Sequence, residues 1–291
     1  MSSDPKISII IPTYNRAGLI MEAIESICRQ TYMNWELLII DDQSTDNTKE
    51  LISAATDKRI QFYETESRVG IEETRNIGLQ KASGDLIAFM DSDDLWAADK
   101  LAKQVKALEQ YPEAGFSLTG GFNFKKLDEP VAYFYKQREG MRYGNIFNDF
   151  FRSEVAVTMP TLVIRKECMQ QVGPFKGNGT LDFFLHLANQ FKAVILYEPL
   201  FFRRLHDGNY SIKNSEKGFL EGVEMVKKYR TSLPSKLYHG FLFNTHVNFG
   251  EKCLLYRQRG KAIGQFISAW KNKPFSIVPP RKIAKAILSG F

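Results

Sequence analysis

The chain has 291 residues, 44% of them hydrophobic and 25% charged, which is the make-up of a globular protein with room for one large domain and an appendage. No apolar run approaches the roughly 18 residues that a membrane-spanning helix needs. The formal charge is +6, but residues 257–291 carry eight Lys or Arg and no Asp or Glu, so the rest of the chain is near −2 and a nucleic-acid surface on the main part is excluded.

Met-Ser-Ser-Asp-Pro leads directly into an apolar strand, so no signal peptide is expected and the location predicted is cytoplasmic. Cys28, Cys168 and Cys253 are scattered without metal-ligand spacing and read as reduced, buried thiols.

Ile7-Ser8-Ile9-Ile10-Ile11, closed by Pro12, predicts a first buried strand. Pro12 to Arg16 reads as a turn. Leu19, Ile20, Ala23, Ile24, Ile27 and Cys28 then recur at helical spacing. Residues 35–40 predict a second strand, ending in Asp41-Asp42. A loop and cap at Gln43-Ser44-Thr45-Asp46 precede a helix to about Ala55. Residues 59–63 predict a third strand, 72–82 a helix, and Leu86 the start of a fourth strand. Strand–helix alternation of this kind predicts a parallel sheet with right-handed crossovers.

Leu86-Ile87-Ala88-Phe89-Met90-Asp91-Ser92-Asp93-Asp94 organises the rest. A short apolar run without alternation fits a strand buried on both faces, so the carboxylates sit at its carboxyl end, where open α/β sheets bind ligands. Three acidic groups this close repel one another. Mg²⁺ or Mn²⁺ would neutralise them. The plainer alternative is an acidic turn that caps the next helix. Asp41 and Asp42 end a neighbouring strand, so a nucleotide fits the same edge: one carboxylate for a base N–H, another for a ribose hydroxyl. No G-x-G-x-x-G follows the first strand and no G-x-x-x-x-G-K-[ST] occurs, so dinucleotide enzymes and P-loop ATPases are not indicated.

Four segments in order, Pro12-Thr13-Tyr14-Asn15-Arg16, Ile40-Asp41-Asp42-Gln43-Ser44-Thr45-Asp46, Thr74-Arg75-Asn76-Ile77-Gly78 and Phe89-Met90-Asp91-Ser92-Asp93-Asp94, resemble the family 2 glycosyltransferases of the GT-A fold. The resemblance implies an α/β nucleotide-diphospho-sugar transferase fold, with a mostly parallel central sheet flanked by helices. It implies an inverting, metal-dependent transfer of a sugar from a nucleotide-sugar donor, with a UDP-sugar as the default. By this resemblance Pro12, Tyr14, Asp42, Arg75, Asp91, Ser92, Asp93 and Asp94 belong to the donor site. Asp42 would contact the base, Asp91 or Asp93 the ribose, and Asp93 the metal. An ion pair of Arg75 with Glu72 or Glu73 on the helix surface is the structural alternative.

Residues 96–111 predict an amphipathic helix through Leu101, Val105 and Leu108. Residues 115–151 are rich in aromatics (Phe122, Phe124, Tyr133 and Phe134 among them), which fit a core or the lining of a sugar acceptor site. Residues 159–165 predict a strand, 167–172 a short helix and 192–197 another strand. In the resembled family an acidic pair opens the helix between, and one member takes the acceptor proton. Here Gly179-Thr180 stands in that place, and Asp182 lies two residues on. Asp182 is the candidate base, with His186 one helical turn away. The alternative is a carboxylate that complements the helix dipole. In Arg204-Leu205-His206, followed by Ser211, the resemblance gives His206 to the metal shell and Arg204 and Ser211 to the diphosphate. A guanidinium fork suits phosphate oxygens.

The predicted organisation is a catalytic domain over 1–214, with a nucleotide-sugar half at about 1–112 and an acceptor half at about 113–214. A helical basic extension follows over 215–291. Helices are expected at 218–229, 235–259 and 260–271, where Ile263, Phe266, Ile267 and Trp270 fall at helical spacing. Apolar residues with basic flanks over 257–291 fit the surface of an anionic bilayer, or a cap packed on the main domain. The acceptor expected is a saccharide or a lipid-linked saccharide. A sugar nucleotidyltransferase is the rival enzyme, but its Gly-rich basic loop after the first strand is missing. A binding subunit without turnover is the non-enzyme alternative.

Overall fold

The computed structural model describes residues 4–135, 138–156, 158–176, 179–206 and 215–288. The chain forms two compact units. One comprises 1–146 and 156–206, the other 147–155 and 207–291. Phe147–Val155, which the sequence leaves in the acceptor half, therefore belongs with the C-terminal helices.

The first unit opens as the alternation predicts: β1 (Ile7–Thr13), α1 (Ile20–Cys28), β2 (Trp35–Asp41), α2 (Thr48–Ser53), β3 (Ile60–Glu64), α3 (Ile71–Lys81) and β4 (Leu86–Phe89). These four strands run parallel in the order β3-β2-β1-β4. Every residue of β1, β2 and β4 is buried, which is why their sequences are mostly apolar, with Ser8, Thr13, Glu36 and Asp41 as the polar exceptions. Each buried Ile or Leu there contributes about 1.5–3 kcal/mol. The chain passes from β1 outward to β2 and β3, then returns to the other side of β1 as β4. The carboxyl ends of β1 and β4 thus flank a topological switch point, where a crevice opens.

Beyond β4 the sheet becomes mixed. Leu95–Trp96 forms β5, and α4 spans Lys100–Gln110. There follow β6 (Ala114–Lys126), β7 (Glu129–Tyr133), β8 (Met141–Gly144), β9 (Val163–Arg165), α6 (Lys166–Val172), α7 (Gly179–Gln190) and β10 (Lys192–Arg204), with α5 (Phe147–Phe151) in the other unit. The path continues β4-β9-β6-β10-β5; β9 is antiparallel to both neighbours and β10 runs parallel to β6.

Three sequence expectations change here. The helix expected from Trp96 begins only at Lys100, because the backbone of Leu95 and Trp96 pairs with Phe202 and Phe201 of β10. The strand expected over 159–165 is a 3₁₀ turn at Met159–Thr161 and then three residues of β9. Pro160 has no N–H for a ladder. The strand expected over 192–197 runs on to Arg204, since a register shift around Pro199 lets pairing resume.

In the second unit, α8 (Ser215–Lys228), α9 (Ser235–Leu255), α10 (Arg259–Asn272) and α11 (Val278–Leu288) accompany α5. Phe249, Cys253, Ala262 and Phe266 form a small core with Phe219, Leu254 and Ile283 against it. A side chain at Gly250 would meet the Phe266 ring at 2.5 Å, so glycine lets α9 and α10 approach. The helix expected to run to Arg259 stops at Leu255, where Arg257 takes a left-handed φ of 58°.

Candidate active site

The site is built where β1, β2, β4 and β10 end. Asp42 follows β2 and is buried. Its carboxylate accepts the N–H groups of Val69 (2.7 Å) and Gly70 (3.0 Å). Gly70 has φ 85°, which favours glycine, and it is the residue on which α3 starts. Asp42 therefore fixes the entry to α3 and retains lone pairs for a ligand. Arg68 lies 4.0 Å from Asp42, and its guanidinium covers the Tyr14 ring at 3.7 Å. Arg68 is absent from the sequence expectations, because no motif marks it.

The β1 and β2 loops interlock. Asn15, at φ 51°, accepts the Thr45 N–H at 2.8 Å, and its own N–H donates to the Ser44 hydroxyl at 2.8 Å. Arg16 N–H donates to Thr48 at 2.9 Å. Asp41 accepts the N–H (2.8 Å) and hydroxyl (2.5 Å) of Ser44. Pro12, buried at the end of β1, precedes this loop. Asn15, Ser44 and Thr48 are thus placing residues.

The Asp91–Asp94 turn carries the chain from β4 in mid-sheet to β5, beside β10. That route explains how residues more than a hundred positions apart meet. Asp93 Oδ2 lies 3.0 Å from His206 Nε2 and 3.4 Å from Arg16 Nε. Asp94 accepts the Arg204 N–H at 2.8 Å. Arg204 Nε donates to the Asp93 carbonyl at 3.2 Å, and its terminal nitrogen donates to Glu22 of α1 at 2.7 Å. Glu22 and Arg16 carry no sequence signal of their own: Glu22 gains its role from Arg204 of β10, and Arg16 from Asp93 of the turn after β4. Ser92 is buried in the turn. Ser211 lies outside the described residues.

Arg75 is buried and donates to Asp91 at 3.2 Å, rather than pairing with Glu72 or Glu73 on the helix surface. A Cβ on Gly78 would meet Ile10 at 2.5 Å, so this glycine brings α3 against β1 and Arg75 into the crevice. Arg75 Nε is buried without a hydrogen-bond partner among the described residues. An orphaned cationic donor of this kind calls for an acceptor such as a ribose or phosphate oxygen.

Burial pushes Asp94 well above the usual carboxylate range, and its neighbours Asp91 and Asp93 push it further. Burial also raises Asp91, against the pull of Arg75. A divalent cation would relieve this crowding. The described residues contain no group of three or more His, Cys, Asp or Glu set to hold a metal. Asp93 and His206 supply two donors. That fits Mg²⁺ or Mn²⁺, which usually take one or two protein ligands and complete their shell with water and phosphate oxygens.

Asp182 lies in the first turn of α7 and is buried. Its Oδ2 is 3.8 Å from His186 Nδ1, too long for a hydrogen bond between them. The α7 N-terminus is tied to α3. Gly179 N–H donates to Glu72 (3.2 Å), and Asn76 both donates to (3.0 Å) and accepts from (2.9 Å) the Phe175 backbone. Phe175 sits under the Arg75 guanidinium at 5.7 Å and packs on Phe183 at 4.6 Å. A continuous line of contacts therefore runs from Asp91 through Arg75 and Phe175 to the residue after Asp182. Of the aromatic-rich segment, Phe122 and Phe124 pack as core with Leu95 and Phe202, while Tyr133 is exposed.

The α/β fold of this chain matches that of solved GT-A glycosyltransferases. The Staphylococcus aureus TarS structure with UDP-GlcNAc aligns over 92% of this chain and 81% of its own, with TM-score 0.66 at 18% identity. The Pyrobaculum calidifontis mannosyltransferase PcManGT, solved with GDP-Man and Mn²⁺, aligns over 100% of this chain and 82% of its own, with TM-score 0.64 at 20% identity. Residues 8–166 match the model of glycosyl transferase family 2, and the chain belongs to that family. Among its relatives is the UDP-Glc:alpha-D-GlcNAc-diphosphoundecaprenol beta-1,3-glucosyltransferase WfgD of Escherichia coli. It is 45% identical over 105 residues, 36% of this chain and 42% of that protein. The chain spans 22–42% of the length of the first four curated relatives it matches.

Proposed function

We propose that this chain is an inverting glycosyltransferase that moves a sugar from a nucleoside-diphosphate sugar, with UDP as the nucleotide, to a saccharide or lipid-linked saccharide acceptor in surface-polysaccharide synthesis. The observation that carries this reading is the meeting of Asp91, Asp93 and Asp94 with Arg75 and His206 at the switch point. Carboxylates suited to a ribose and a cation, and a buried guanidinium with an unused N–H, come together at the switch-point crevice, the place where open α/β sheets bind ligands. Asp42, with Tyr14 and Arg68 beside it, faces the base; Pro12 closes that end. Asp93 and His206 would hold Mg²⁺ or Mn²⁺, which would supply charge neutralisation at the departing diphosphate. Arg204, clamped by Glu22, and Ser211 serve the same diphosphate. Asp182 takes the proton of the acceptor hydroxyl as that oxygen attacks the anomeric carbon from the face opposite the leaving group. Displacement from that face inverts the anomeric centre.

The test is donor hydrolysis and transfer over a panel of nucleotide sugars, with Mn²⁺, Mg²⁺ or chelator, on the wild type and Asp182→Asn. The expected result is cation-dependent turnover that falls about 10²–10⁴-fold in the variant while donor binding persists. Turnover that survives the substitution moves the base to another residue. Cation-dependent nucleotide binding without turnover across a broad acceptor panel favours a binding subunit, in line with Gly179-Thr180 standing where the resembled family has its acidic pair.

A further inference from the structure

The helical unit carries a surface feature that the transfer reading does not use. Helix α10 docks through Ala262, Phe266 and Ala269, all fully buried. Its end and the turn into α11 present Trp270 at 42% exposure, Phe275 at 101% and Ile277 at 60%. These side chains sit on ordered backbone. Trp270 Nε1 donates to the Pro274 carbonyl at 2.6 Å, Lys273 N–H returns to Ala269 at 3.2 Å, and Ser276 N–H to Lys273 at 3.0 Å. Lys271, Lys273 and Arg281 are exposed around this tip. Residues 257–291 contain no acidic side chain to oppose them.

We propose that the α10–α11 tip docks on an anionic lipid bilayer, with Trp270, Phe275 and Ile277 entering the headgroup–acyl boundary and Lys271, Lys273 and Arg281 meeting lipid phosphates. A phenylalanine held fully in water at a helix turn gains from an apolar phase, and a tryptophan with a polar edge suits the interface. The surrounding cations suit phosphate headgroups and stand against a second copy, because two such tips face to face bring like charges together. No helix among the described residues is long and apolar enough to cross a membrane, so the contact is one of lying on the surface. This proposal goes beyond the transfer reading and needs no turnover to be tested.

The experiment is co-sedimentation of the full chain with vesicles of phosphatidylcholine alone and of phosphatidylcholine with phosphatidylglycerol, at low and high salt. The expected result is salt-sensitive binding to the anionic vesicles, with a blue shift of tryptophan emission that Trp270→Phe removes. Phe275→Ser with Ile277→Ser should weaken binding at least about tenfold, and Lys271→Glu with Arg281→Glu about fivefold per cation. The serine variant removes no packed side chain from Phe275, so circular dichroism should match the wild type. Three results overturn the proposal: no binding to anionic vesicles, equal binding to both vesicle types, or binding unchanged in the serine variant. A concentration-dependent dimer that the serine variant abolishes, with no lipid binding, assigns the tip to a second copy instead.

Discussion

The two units place their charged groups in opposite ways. In the sheet unit, Asp42 and Asp94, in the loops that follow β2 and β4, and Arg75 of α3 are buried, each held by specific partners. In the helical unit pairs such as Lys261–Glu216 and Lys282–Glu251 lie at the surface and keep much of their water. Burying a charge costs several kcal/mol unless partners compensate, so a buried guanidinium N–H left without a partner among the described residues, as at Arg75, signals a ligand. Exposed pairs contribute about 0–1 kcal/mol each, and surface cations act through their summed field. The sheet unit therefore reveals its site through individual groups, and the helical unit through a patch.

Substitutions can sharpen or break that contrast. The largest effect is expected at Asp93. Asp93→Asn should lower cation-dependent turnover by about a hundredfold or more, since the metal term is worth several kcal/mol. The thermal midpoint should change little, because the repulsion from Asp91 and Asp94 that is relieved offsets the lost pairing with Arg16 and His206. A loss of activity matched by a loss of folding would make Asp93 structural and erase the distinction.

Next comes Glu36, a buried carboxylate far from the crevice. Burial alone would raise it, but the Lys6 ammonium and hydrogen bonds from Ser8 and Ser83 lower it from 4.5 to about 2. A depressed acid stabilises the fold above its unfolded value, and this contribution disappears as pH falls from about 4.5 towards 2. Glu36→Gln should therefore cost on the order of 3 kcal/mol at neutral pH, and less as denaturation is repeated down that window. A pH-independent cost would mean that packing, not charge, is what Glu36 supplies.

A smaller loss of about 1–3 kcal/mol is expected for Gly78→Val, which forces α3 off Ile10. Because Arg75 rides on α3, nucleotide affinity should fall as well, read by calorimetry. Affinity unchanged beside a clear loss of stability would uncouple the helix position from the site. The smallest effect belongs to the helical unit. Lys282→Ala removes an exposed ion pair and should change stability by no more than about 1 kcal/mol, measured by urea unfolding. A larger loss would place that pair with the specific charges of the sheet unit.

Much of the first half was legible because its signals are local. Leu86–Phe89 is apolar at every position and Ile7–Ile11 at every position but Ser8, as suits strands covered on both faces. The carboxylates after β2 and β4 then fall at the ligand-binding edge of any parallel sheet. The mid-chain was less legible. Leu95 and Trp96 look like a helix start, and only their pairing with β10 makes them a strand. The extent of β10 across Pro199 likewise depended on a neighbour, β6, whose register could shift.

By itself the sequence determined the parallel β1–β4 core, the acidic strand ends, the motif glycine at position 78 and the basic helical tail, because hydrophobic runs, turn residues and charge counts are properties of contiguous residues. Only the tertiary structure decided that Arg75 faces Asp91 rather than Glu72, that His206 and Arg204 meet Asp93 and Asp94, that Glu22 clamps Arg204, and that Phe147–Val155 joins the C-terminal helices. Those pairings join residues far apart in the chain. They are set by sheet order and by how closely helices approach, neither of which a local pattern encodes.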